Sequence, residues 1–436
     1  MSTVNPAAKK NHNPKLAVIL SILLAGLGQL YNRRYIKGSL FILLEVSFIL
    51  TLGEFLNYGI WGIMTLGTLQ GVDHSIILLI YGFISIILIA FAIVLYVANV
   101  KDAKRDALRL QRGEKTPGFR EAVKNVWDVG FPYFFVTPGL IMLAFIVILP
   151  LMFTVGLAFT DYSQSNQPPR NLLNWVGFDN FARLFFQTGG AGNNIWQDTF
   201  ISVFTWTIVW TLVATTLQIA LGLFLALIVN DPRIKFKRLI RTILILPWAV
   251  PAFVTILVFA AMFNDRFGAI NTDILAIFNL SIPWLQDPFY TRIALIMIQT
   301  WLGFPFVFAL FTGILQSISK DWYEAADVDG ASRMQKFRSI TLPHVLYATA
   351  PLLIMQYAGN FNNFNIIYLF NEGGPAVRGQ NAGGTDILIS WVYDLTFELN
   401  QYSMAAAITI ILGLIVTGFA VFQFRRTRAF KEEGNI

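Results

Sequence analysis

The densest polar groups inside apolar stretches of this chain are Gly359-Asn-Phe-Asn-Asn-Phe-Asn365 and Gln299-Thr-Trp-Leu-Gly-Phe-Pro-Phe306. Amide side chains offer donors and acceptors together, which matches the hydroxyls of a sugar, and aromatic faces can lie against sugar rings. Neither run contains the Lys or Arg that an amino acid or a phosphate would require, nor the Asp, Glu or His that a metal cation would need. The pattern points to a neutral, hydroxyl-rich solute. The same amides could instead hydrogen-bond between helices and hold a bundle together.

A second group of residues points to a protein partner. In the stretch 321–343, Asp321 with Glu324 three positions later reads as a capped helix start. Ala325 and Ala326 favour the helix, and Gly330 supplies the left-handed residue that ends it. Ser332 can cap a second short helix with Phe337 and Ile340 on one face, and Pro343 marks the turn into the next span. Small residues at Ala325, Ala326, Gly330 and Ala331 let another surface approach the backbone, while Glu324 and Asp329 offer fixed charge. An ordinary amphipathic connector would explain the caps but not the whole pattern.

Other chemistry is excluded by composition. Without cysteine there is no disulfide, thiolate metal site or thiol nucleophile, and His12, His74 and His344 lie far apart. A phosphate-cradling Gly-x-x-x-x-Gly-Lys-Ser/Thr loop is lacking. The nearest fragment, Gly113-Glu-Lys-Thr116, has no glycine before the lysine. The chain therefore binds no cofactor of its own. It is 56% apolar and 13% charged, against roughly 45–50% and about 25% in soluble domains. Its net charge of +7 fits cytoplasmic Lys and Arg anchors of a membrane protein, with no role for nucleic acid.

These residues must be positioned by membrane-spanning helices, which need about 20 apolar residues each. Eight runs qualify, near 38–58, 76–99, 133–159, 200–229, 240–263, 291–316, 344–370 and 403–424. Lys and Arg concentrate in 101–125, 230–241, 317–343 and the tail after 424, and are sparse in 59–75, 160–199, 264–290 and 371–402. The first set reads as cytoplasmic and the second as external. A shorter run, 16–31, is interrupted by Gly26, Gly28 and Gln29 and carries positive charge on both flanks, so it reads as a re-entrant or interfacial hairpin. Both termini are then cytoplasmic, with no cleavable signal peptide expected. Residues 1–37 form the N-terminal segment, 38–99 two leading spans, 100–130 a cytoplasmic linker, 131–424 the core and 425–436 a tail. The external loop 160–199 is expected to form a small cap with a flexible tip at Gly189, Gly190 and Gly192. Glu45, inside the first span, reads as structurally paired, and Pro247 and Pro251 as kinks in the fifth.

Glu324-Ala-Ala, three residues, Gly330, nine residues, then Ile340-x-Leu342-Pro343 resembles the complete EAA loop of bacterial ABC import permeases, at its usual place before the last two helices. The resemblance implies an all-α polytopic membrane protein with a six-helix type I importer core, and a coupling helix seated in a cleft of a homodimeric ABC ATPase. ATP and Mg belong to that partner, so this chain is a transport subunit and not an enzyme. Glu324, Ala325, Ala326, Asp329, Gly330, Ala331, Ile340, Leu342 and Pro343 are the coupling residues so implied. The chain also resembles the larger permease subunit of maltose and maltodextrin importers, through Ile245-Leu-Pro-Trp-Ala-Val-Pro251, Phe263-Asn-x-x-Phe-Gly268, Trp301-Leu-Gly303, Phe361-Asn-Asn-Phe364 and Gly373-Gly-Pro375. Carried over by motif, the sugar-contacting positions fall on Gln299, Leu302, Gly303, Phe306, Gly359, Asn360 and Asn363. Three depart from that family's pattern: Gln299 stands for an asparagine, Phe306 for a tyrosine and Gly359 for a phenylalanine. The resemblance further implies a second, related permease and an extracellular sugar-binding protein. The short first external loop of the core fits a Gram-positive arrangement in which that protein is anchored by lipid. An ion-coupled transporter would need converging intramembrane carboxylates, and a membrane enzyme acidic catalytic pairs; the core spans offer almost none.

Overall fold

The computed structural model describes residues 13–114, 119–186 and 195–426. The expected flexible tip at Gly189–Gly192, the turn at Pro117 and Gly118, and the tail beyond 426 lie outside them. Among the described residues there is no β-strand, only isolated bridges. The chain forms two compact units, Met1–Val176 and Gly177–Ile436.

The first unit begins with α1 (Pro14–Leu23) and α2 (Leu27–Tyr31), followed by the long α3 (Tyr35–Thr65) and α4 (Ser75–Gln111). At 1.5 Å per residue the ten-residue α1 is about 15 Å long, half a bilayer core, so α1 alone is too short to cross one. Gly26, at φ +93°, makes the turn between them. Glu45 of α3 closes it, accepting the Ala25 backbone N–H at 2.5 Å, which is the structural pairing expected for that carboxylate. Polar groups tie the hairpin to the end of α4. Buried Gln29 donates to the Asn99 carbonyl at 3.0 Å and to Asp102 at 3.2 Å, and Asn32 donates to the Ala103 carbonyl at 2.8 Å. Lys37 pairs with Asp102 at 2.6 Å. Small residues bring α3 and α4 together: a Cβ on Gly59 would lie 2.2 Å from the Ser85 hydroxyl, and one on Gly82 2.4 Å from Ile63. The charged stretch read as a linker is the last turns of α4 and the start of α5 (Phe119–Leu143). A π-turn over Ala144–Ile148 leads into α6 (Leu149–Ala158).

The second unit holds both sequence clusters. After α7 (Asp179–Phe185) come α8 (Ile195–Asn230), α9 (Lys237–Ile245), a 3-10 turn over Leu246–Ala249, α10 (Ala252–Met262) and α11 (Pro288–Ser317). The helices α12 (Lys320–Val328), α13 (Arg333–Lys336), α14 (Leu342–Phe361), α15 (Phe364–Asn371), α16 (Leu388–Phe397) and α17 (Tyr402–Arg426) complete it. Its core packs Trp206 and Trp210 of α8 against Leu295 and Ile298 of α11, Ile256 and Phe263, and Ile366 and Phe370 of α15. Gly222 lets α8 approach α11, since a Cβ there would stand 3.0 Å from the Phe308 backbone nitrogen.

Six described helices are long and apolar enough to cross a membrane: α3, α4, the helical run Gly130–Ala158, α8, α11 and Tyr402–Phe422. The other two expected spans are interrupted. The fifth, Lys237–Met262, is bent by 87°. Val250 there is extended, the conformation a following proline imposes, and Pro251 starts α10. The seventh breaks at Asn362 and Asn363 into α14 and α15, at residues of low helix propensity.

Candidate translocation site and coupling loop

The two interruptions face one cavity of about 550 Å³. The 3-10 turn and Pro251 supply one wall, with Trp248 set edge-on to Phe306 at 5.8 Å between ring centres. Gln299, Leu302, Gly303 and Phe306 of α11 supply another, and Gln356, Asn363, Asn365 and Ile366 a third. A volume of this size with a few placed polar groups in an apolar lining is that of a small-molecule site. Among the residues lining it there is no Lys, Arg, Asp, Glu or His.

Of the seven substrate positions expected from sequence, five line this cavity: Gln299, Leu302, Gly303, Phe306 and Asn363. Asn360 and Gly359 do not. Asn360 is 4% exposed and acts as a tie between helices: its Nδ2 donates to Thr215 Oγ1 at 2.8 Å, and its carbonyl accepts from Trp210 Nε1 at 2.9 Å. Gly359 is exposed, with nothing within 4 Å of where a side chain would begin. Between Asn363 and the α11 wall the amides are linked. Asn363 Nδ2 donates to Gln299 Oε1 at 3.1 Å and to Asn360 Oδ1 at 3.3 Å, and Gln299 Nε2 donates to Gln218 Oε1 at 3.2 Å. Gln218 Nε2 donates in turn to Gln356 Oε1 at 3.0 Å. Sequence reasoning missed Gln218 and Gln356, isolated amides in apolar runs. A polar residue well inside a span was the one signal that could have found them.

The loop between α11 and α14 has the two-helix shape read from the sequence, with two differences. Ser319 caps α12, accepting the Asp321 N–H at 3.2 Å, and Asp321 lies in the first turn. A serine two positions upstream was available, and the helix starts earlier. Gly330, at φ +74°, ends α12: its N–H donates to the Asp327 carbonyl at 3.1 Å, and the Ala331 N–H to the Ala326 carbonyl at 2.9 Å. Ser332 and Gln335 form a reciprocal cap on α13. Lys336 bridges back to Asp327 at 2.5 Å, and the Tyr323 hydroxyl meets Thr341 Oγ1 at 2.8 Å, so α12 is held against the root of α14. Pro343 makes no turn. A π-turn over Phe337–Thr341 joins α13 to α14, with the Leu342 N–H reaching the Phe337 carbonyl. The wider π register relieves the carbonyl that the proline ring would crowd. Ala144–Ile148 stands in the same relation to Pro150. Glu324, Ala325, Asp329 and Gly330 are exposed, and Val328 beside them is 88% exposed.

The segment 372–387 folds around Asp386, which is 1% exposed. It accepts the Gly383 N–H at 2.7 Å and the Ser390 hydroxyl at 2.8 Å. Gly373, at φ +75°, packs on it so closely that a Cβ would be 2.0 Å from Asp386 Oδ1. Burial raises the carboxyl from the ordinary 3.8 to about 6. Asp394 of α16 is raised to about 7, by burial first and then by the charge of Asp386.

Residues 218–429 match the family described as binding-protein-dependent transport system inner membrane component. The galactooligosaccharides transport system permease protein GanP of Bacillus subtilis is 51% identical over 96% of this chain and 99% of its own length. The maltodextrin transport system permease protein MdxF of the same organism is 45% identical over 96% of each. Among solved structures, a chain of a bacterial ABC transporter involved in the import of alginate has the same fold, with a TM-score of 0.56 at 22% identity over 71% of this chain and 98% of that one. Interrupted helices around an uncharged cavity, a capped exposed helix before the last two long helices, and identity running through nearly the whole length of these permeases agree: the chain belongs to the family of membrane permease components of binding-protein-dependent ABC transport systems.

Proposed function

We propose that this permease carries a neutral oligosaccharide, of the class to which maltodextrins and galactooligosaccharides belong, through the cavity between the 3-10 turn, α11 and α15. One observation carries the reading: amides and aromatic rings line the cavity without a single ionisable group. Gln299, Leu302, Gly303, Phe306 and Asn363 contact the sugar, Gln356 and Trp248 complete the wall, and Asn360 holds the helices from behind. Gly359, where the resembling family has phenylalanine, leaves open space.

Energy reaches the site from outside the chain. The exposed face of α12 seats in a cleft of an ABC ATPase that binds ATP and Mg, and the bridges to α13 and α14 convey its movement. Glu324, Ala325, Ala326, Asp329, Gly330 and Ala331 form the contact; Ile340, Leu342 and Pro343 belong to the helix that conveys the movement. A second permease fills the other cleft of the ATPase dimer, and an extracellular, lipid-anchored binding protein delivers the sugar to the external segments. Loop charge supports a cytoplasmic α12 and cytoplasmic termini. Uptake of a labelled sugar panel into proteoliposomes holding the assembled importer tests the site. Asn363→Ala is expected to lower uptake about tenfold or more with the complex still assembled, since it leaves buried amides unpaired. Unchanged uptake of every sugar would remove the cavity from the pathway.

A further inference from the structure

We propose that Gln218, which touches no part of the cavity, is a positioning residue that sets the hydrogen-bond polarity of the sugar site. The inference rests on the reading of that cavity as the sugar site. Gln218 lies on α8, fully buried, behind the wall formed by α11 and α14. The amides there form a head-to-tail relay in which each NH₂ donates to the next carbonyl: Asn363 to Gln299, Gln299 to Gln218, and Gln218 to Gln356. Asn360 anchors the start, accepting from Asn363 and donating to Thr215.

Direction gives this relay its consequence. Both its ends, Asn363 and Gln356, line the cavity. The NH₂ of Asn363 is committed at the start, so its carbonyl is the group left to accept from a sugar hydroxyl. The carbonyl of Gln356 is committed at the other end, so its NH₂ is the group left to donate. Turning any one amide over would set two acceptors or two donors against each other, which is costly in a buried site. Gln218 joins the ends, and a hydroxyl-rich ligand is discriminated by which of its oxygens meets a donor and which an acceptor.

Gly303 belongs to the same device. A Cβ on it would lie 2.0 Å from Gln218 Oε1 and 2.5 Å from Cδ. Glycine at this position therefore makes room for the buried amide in addition to shaping the cavity.

The test measures the ratio of uptake of a maltodextrin to that of a galactooligosaccharide, across concentrations, in the assembled importer with its binding protein. Gln218→Met fills similar space and ends the relay; it is expected to change the ratio by about tenfold, the scale on which mispaired polar groups discriminate ligands. Gln218→Glu is the conservative variant. A buried carboxyl holds its proton and keeps one donor and one acceptor, so the ratio stays near that of the parent at low pH and departs from it as pH rises. A merely structural residue would lower uptake of both sugars alike and give the glutamate variant no pH-dependent ratio; that result overturns the proposal. Gly303→Ala, which displaces the amide sterically, is expected to shift the ratio in the same direction as Gln218→Met and replaces it if that variant fails to assemble. If the ratio is unchanged in these variants while Asn363→Ala lowers uptake as expected, the relay is wrong and the sugar site stands. If Asn363→Ala is also without effect, the site itself is wrong.

Discussion

Asn360 and Asn363 stand three positions apart at the interrupted end of α14, and the structure divides their work. Asn360 is buried between α8 and α14, so Asn360→Ala is expected to lower stability by about 1–3 kcal/mol, the cost of unpaired buried groups. Thermal unfolding of the purified chain in detergent measures it, and Asn363→Ala, at a half-buried position on the cavity, should lower the midpoint less. Sequence alone ranked the two together because identical amides in one polar run offer the same chemistry; the partners that separate them come from α8, more than 140 positions earlier. At Gly330 the left-handed backbone costs any side chain about 1 kcal/mol, yet nothing lies within 4 Å of where a Cβ would stand. Gly330→Ala and Gly330→Asp thus share the backbone cost. The aspartate is expected to lose further sugar-stimulated ATP hydrolysis in the assembled importer, because its charge and bulk meet the partner surface. Equal activity of the two variants would show that nothing docks there.

At the level of elements, the two interrupted spans each supply a wall of the cavity, and the unbroken α11 supplies the third. The bend in the fifth was legible in Pro247 and Pro251, since proline acts through local backbone chemistry; the break in the seventh was not, because the asparagine run was read for what its side chains could bind. The 87° angle between α9 and α10 was not legible, because it depends on how α11 and α15 pack across the bend. The segment held by Asp386 was equally hidden: its close packing on Gly373 needs a turn that only the folded loop defines. That segment is expected to respond to pH. The carboxyls of Asp386 and Asp394 are raised from 3.8, so the folded segment retains protons that an unfolded one releases. Their contribution to stability is full below pH about 4 and is lost as pH rises through about 6 to 7. Hydrogen exchange of residues 372–397 should therefore be slower at pH 5 than at pH 8 once intrinsic rates are corrected. Asp394→Asn should flatten the difference; an equal change in the variant would place the effect elsewhere.

For the whole molecule, the all-helical, multi-span architecture was the most legible property, because apolar length is summed over many residues and no single contact decides it; loop charge adds an expected topology. The absence of cysteine makes that topology directly measurable. In intact cells, Arg378→Cys is expected to react with a membrane-impermeant maleimide and Lys235→Cys to react only after the cells are opened; the reverse would invert the arrangement and place α12 outside. The N-terminal hairpin gives the molecule an order of assembly. Its turn is closed by Glu45, 20 residues later, and its polar ties are to Asn99, Asp102 and Ala103, some 70 residues later. The hairpin is therefore held in place only after α3 and α4 have been made. Nascent chains stopped before α4 emerges should leave the hairpin open to protease, and chains extended past α4 should protect it.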